Sequence, residues 1–100
     1  ISHLPHLVAV TLVNTLKNSG YEQNLLHAFA GNGFKDTTRI AMGEPSVWYD
    51  IFSTNKSNLN DALNSFLKEL NKLCGNLDKG NEQEVIKILA EGKLWRQLFS

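Results

Sequence analysis

The chain has a single cysteine, Cys74, so no internal disulfide can brace it. Its 10 basic and 10 acidic side chains cancel, which leaves no net positive field to gather a polyphosphate and argues against a nucleic-acid partner. Long apolar runs are missing as well: the longest, Leu7 to Leu16, is interrupted by Thr11, Asn14 and Thr15. A bilayer needs about 20 apolar residues, so no membrane span is predicted. No stretch alternates apolar and polar positions over several β-branched residues, which leaves nothing to call a strand. Repeats, low-complexity tracts and linkers are likewise absent. These absences predict one unstapled domain over residues 1–100, in a reducing, cytoplasmic compartment. Ile1 stands where an initiator Met would be, and Ser2-His3-Leu4-Pro5-His6 follows at once, so the chain reads as a piece of something longer.

What is present is helical spacing, and the expected class is all-α, with about five helices and a long C-terminal helical pair. Ser2 suits an N-cap with Pro5 in the first turn, and Leu4, Leu7, Val8, Val10, Leu12, Val13 and Leu16 then cover most of a helix until Gly20. Apolar nearly all round, that helix is expected to be buried on several sides. A short second helix is predicted over about residues 22–29, followed by a shaped loop from Gly31 to Arg39 in which Gly31 and Gly33 break helical order. Pro45 opens a third helix that carries Val47, Trp48, Ile51 and Phe52 to about Thr54. Asn58 with Asp61 is expected to cap a long fourth helix ending at Gly80, and Asn81 with Glu84 a fifth. The stripe of that fifth helix, Val85, Ile86, Ile88, Leu89, Leu94, Trp95 and Leu98, is wider than one neighbour buries. Leaving it in water forgoes about 25 cal/mol for each Å², so a helical homodimer is predicted, against a closed five-helix monomer with a few exposed leucines.

Few residues invite chemistry. His3 and His6 lie three apart and face one side of a first turn, where they can bond nearby backbone, meet a substrate hydroxyl or start a metal site. The metal reading lacks a third ligand at any recognisable spacing, so no metal is assigned. Arg39 is one of two arginines beside eight lysines. Its planar fork can grip a carboxylate through two parallel bonds, or form a plain surface pair with Asp36. Trp48 suits a core or a binding pocket, and Cys74 sits in an apolar stripe as an inert packing residue. No phosphate cradle, Ser-His-Asp set or pair of catalytic carboxylates can be assembled, so no catalytic residue is assigned.

In order, Ser2-His3-Leu4-Pro5-His6, Gly33-Phe34-Lys35-Asp36, Thr38-Arg39-Ile40-Ala41, then Pro45, Trp48, Asp50-Ile51 and Asn55 resemble the helical C-terminal domain of prephenate dehydrogenases, a family whose motifs arogenate dehydrogenases share. The motifs cover about residues 1–55; beyond them the likeness rests on helix lengths and apolar pattern. The resemblance implies a homodimerising domain that closes one side of a substrate cleft. NAD or NADP would be held mainly by an N-terminal nucleotide-binding domain absent from this chain, together with the family's catalytic histidine. The implied reaction is oxidative decarboxylation of prephenate to 4-hydroxyphenylpyruvate: hydride leaves the ring carbon that bears the hydroxyl as carbon dioxide departs. It further implies that Arg39 binds a carboxylate of a prephenate-like dicarboxylate, that Ser2 and His6 face the substrate, that Asp36 lies near the cleft entrance and that Trp48 lies beside the bound ring. Asn32 departs from the family's Gly-Gly-Gly-Phe loop. The fragment alone is expected to be inactive, and the other reading kept open is a stand-alone helical dimerisation module.

Overall fold

The computed structural model describes residues 3–20, 22 and 31–99, and every regular element among them is helical. The helices are α1 (Leu4–Lys17), α2 (Asn32–Thr38), a 3-10 turn (Arg39–Met42), α3 (Pro45–Thr54), α4 (Lys56–Asp78) and α5 (Glu82–Gln97). The chain divides into two compact units, Ile1–Ala62 and Leu63–Ser100, with the division inside α4. No helix among the described residues is long and apolar enough to cross a membrane.

In the first unit, α1 starts one position later than the sequence suggests. His3, not Ser2, is the N-cap, it makes no side-chain cap bond, and Pro5 sits in the first turn where its missing N–H costs nothing. Ser2 itself lies outside the described residues, as does the helix expected over 22–29 apart from Glu22, which is not helical. The polar interruptions of α1 are satisfied locally: the hydroxyls of Thr11 and Thr15 each donate to the carbonyl four residues back, at 2.8 Å. Burial along α1 is narrower than its apolar circumference led us to expect. Only His6 and Ala9 are buried, and Leu12 remains 39% exposed.

The expected loop from Gly31 to Arg39 is instead a helix that runs into a 3-10 turn. Gly31 is an extended N-cap, Lys35 N–H donates to its carbonyl at 3.2 Å, and the Thr38 hydroxyl donates to Phe34 O at 2.7 Å. Thr38 is buried, and both α2 and the 3-10 turn pack on α1, so tertiary contact overrides the low helix propensity of a Gly- and Thr-rich segment. α3 begins at Pro45 and ends at Thr54 as the sequence predicts.

α4 starts at Lys56, two residues before the expected cap. The Asn58 side chain is used one turn back, donating to Asn55 Oδ1 at 3.0 Å. Its end follows a Schellman pattern: Gly80 N–H donates to Leu77 O at 3.1 Å and Asn81 N–H to Asn76 O at 3.0 Å. Gly80 takes the positive φ of 69° that this turn requires. Asn81 is the N-cap of α5 but gives it no side-chain bond, because its amide is drawn to Asn76 Oδ1 at 3.1 Å. Glu82 and Glu84 in the first turn and Arg96 in the last complement the dipole of α5.

A candidate substrate-facing site

The side chains that could meet a ligand gather where the first turn of α1 faces α3. Trp48 and Phe52 are four apart on α3 and so share a face. The indole stacks on the imidazole of His6 with centroids 3.9 Å apart and planes at 21°, and Phe52 closes on both rings at 5.6 and 5.7 Å. His3 meets the indole edge-on at 6.0 Å.

His6 is 5% exposed and its Nδ1 is buried with no hydrogen-bond partner. Burying an unsatisfied polar atom costs about 1–3 kcal/mol, whereas an aromatic contact returns about 0.5–1.5 kcal/mol. An apolar ring would therefore be at least as stable there. The balance favours a reason for histidine other than stability. Neither His3 nor His6 hydrogen-bonds nearby backbone, which removes the simplest structural account of the pair. Among the described residues no group of three His, Cys, Asp or Glu side chains gathers that could hold a metal.

Arg39 is exposed and opens the 3-10 turn that packs on α1, the helix that carries His6. Asp36 is exposed on α2, one turn earlier, and Arg39 forms neither an ion pair with it nor a hydrogen bond to any described residue. Its fork is thus free to receive a carboxylate. Trp48 is half-buried, and Cys74 is exposed on α4 rather than packed as its stripe suggested. Two neighbours of the site were not legible as such beforehand, Phe52 and Gly43. The four-residue step from Trp48 could have pointed to Phe52. Nothing in the sequence distinguished Gly43 from the other glycines. Elsewhere, a shallow hollow of about 330 Å³ at the turn between α4 and α5 is lined by Asn76, Leu77, Gly80, Glu82, Val85 and Ile86, and offers no nucleophile.

An all-helical fold whose apolar α5 lies open is that of an association domain. Residues 1–91 match the family described as prephenate dehydrogenase, dimerization domain, and the chain belongs to that family. Over 96 residues, 96% of this chain, it is 32% identical to the prephenate dehydrogenase of Bacillus subtilis, and a prephenate dehydrogenase of Lactococcus lactis is 31% identical over 97 residues. The cyclohexadienyl dehydrogenase of Zymomonas mobilis is 37% identical over 75 residues. The chain spans about a quarter of these relatives, 26%, 27% and 25% of their lengths. Among solved structures, all of it superposes with a TM-score of 0.89 and 41% identity on 35% of prephenate dehydrogenase from A. aeolicus, determined in complex with hydroxyphenyl propionate and NAD+. Synechocystis arogenate dehydrogenase shares the fold, with a TM-score of 0.88 at 24% identity over 37% of that chain.

Proposed function

We propose that this chain is the helical dimerisation and substrate-side domain, over residues 1–100, of a cytoplasmic NAD- or NADP-dependent prephenate dehydrogenase. In this reading it supplies the homodimer interface and one wall of the cleft in which prephenate is oxidatively decarboxylated. Arg39 binds a substrate carboxylate, Ser2 and His6 make polar contacts, Trp48 lies against the ring and Asp36 stands at the entrance. The observation that carries the reading is the unpaired Arg39 fork on a turn packed against the helix of the buried, hydrogen-bond-deficient His6. A relative 41% identical, solved with a ring-bearing carboxylic acid and NAD+, supports the class of ligand.

The described residues do not fit a dinucleotide, since a pyrophosphate cradle needs a strand-to-helix turn and they contain no strand. The nucleotide, which accepts the hydride, therefore belongs to the remainder of the parent enzyme, and this chain's residues orient the substrate. Alone, the chain is inactive.

In the parent enzyme, Arg39→Ala is expected to raise KM for prephenate at least about 30-fold, the equivalent of about 2 kcal/mol for one lost partner of a charge pair. An unchanged KM would remove Arg39 from the site. Comparing kcat/KM for prephenate and arogenate assigns the substrate. The exposed apolar surface of α5 favours a second reading, a helical association module without catalytic duty. Titrating the chain with prephenate or 4-hydroxyphenylpyruvate, with Arg39→Ala as control, separates the two: Arg39-dependent binding excludes the bare module.

A further inference from the structure

Of the seven glycines, Gly43 alone has crowded surroundings. A Cβ placed there would overlap the Nε1 of Trp48, lie 2.7 Å from its Cδ1 and stand 3.3 Å from Cε1 of His6. At each of the other six a Cβ would meet open space. Backbone conformation is not what demands glycine: φ is −62° and ψ 158°, an extended geometry open to any residue. Space demands it. The group that would be struck is the edge of a rigid indole rather than the end of a flexible chain, so the only relief is to turn Trp48 away. That movement would undo the stack on His6, whose centroid separation of 3.9 Å leaves no slack.

We infer that Gly43 is a positioning residue: the missing side chain seats Trp48 flat on His6, and through that seat sets how tightly the site holds a ring-bearing carboxylate substrate. The inference deepens the proposed function and rests on its placement of His6 and Trp48 at the cleft. Because a Cβ at Gly43 would strike the indole, its replacement should act through binding rather than through the chemical step, and only while the indole is present. An alanine at 48 carries neither Nε1 nor Cδ1, the two atoms a new methyl group would strike.

The test is a double-mutant cycle in the parent enzyme, with Gly43→Ala made in the native and the Trp48→Ala backgrounds. Expected is a rise in KM for prephenate of about tenfold or more in the native background, with kcat changed less than about threefold, and less than a twofold rise on top of Trp48→Ala. The emission difference between each protein and its Trp48→Ala counterpart isolates the indole, and Gly43→Ala should change its intensity by releasing the ring from His6. An equal rise in KM in both backgrounds, or an indole signal indifferent to Gly43→Ala, overturns the inference. If the signal changes while Arg39→Ala leaves KM unmoved, the carboxylate assignment falls and the role of Gly43 stands. If the signal changes and Gly43→Ala leaves KM unmoved, the link from seat to substrate is refuted.

Discussion

The two units use their apolar residues in opposite ways. The first encloses a little: Ala9 at 1% and Leu59 at 3% exposure, with His6 and Thr38 buried beside them. The second encloses nothing, since none of its described residues is buried, and Leu89, Leu94, Trp95, Leu98 and Phe99 are all more than 60% exposed. Both halves are helical and both carry ample leucine. The difference is that α1 has α2 and the 3-10 turn packed on it, whereas α5 presents its apolar residues to solvent. A fully buried Leu contributes about 1.5–3 kcal/mol relative to an exposed one, so the second unit holds a large unused driving force for association. In the family to which the chain belongs, that is the use its description gives. The first unit gathers the rings of His6, Trp48 and Phe52, and the second leaves its apolar surface open.

The sharpest way to break this division is to place charge on α5. Leu89→Asp combined with Trp95→Asp in the parent enzyme should weaken self-association by at least about 100-fold, since burying unpaired carboxylates in an apolar contact costs about 3 kcal/mol or more. Light scattering across a dilution series would show the mass fall to that of one subunit. Arg39→Ala should leave the mass untouched. A dimer that survives both aspartates would mean that α5 is not the contact.

Leu59→Ala should cost about 2–4 kcal/mol, because the side chain is enclosed and its loss leaves a cavity. That cost should be independent of protein concentration. The cost of Leu89→Ala should instead grow with concentration in thermal unfolding, as expected for a residue buried only between copies. Identical concentration dependence for the two would erase the distinction between the units. Next in size, Gly80→Ala should cost about 1 kcal/mol, since φ of 69° strains any residue with a Cβ. Gly92→Ala, in the middle of α5 and facing open space, should stabilise by about 0.5–1 kcal/mol. If Gly92→Ala destabilises only the associated form, Gly92 lies in the contact.

Much of this architecture was legible beforehand, and the exceptions share a cause. Pro45, Gly20 and Gly80 marked boundaries correctly because a fixed φ, or a freedom to take positive φ, belongs to the residue itself. The segment 31–39 was misread because its glycines and threonines favour a loop in isolation, and only contact with α1 makes it helical. Asn58 and Asn81 have the chemistry of caps, but each found a competing asparagine, Asn55 and Asn76, at hydrogen-bond distance. The distinctiveness of Arg39 was visible from composition. The burial of His6 was not.

Read alone, the order of residues determined the helical class, the punctuation at proline and glycine, and the ordered motifs that mark the family, because each follows from local conformational preference or from residue identity. Folding in three dimensions decided the rest: which face of α1 is covered, that Trp48 lies flat on His6, and that Gly43 must stay bare beneath the indole. The stack joins residues 42 positions apart, and the contact at Gly43 depends on where that stack holds the indole; no local preference encodes such a distance.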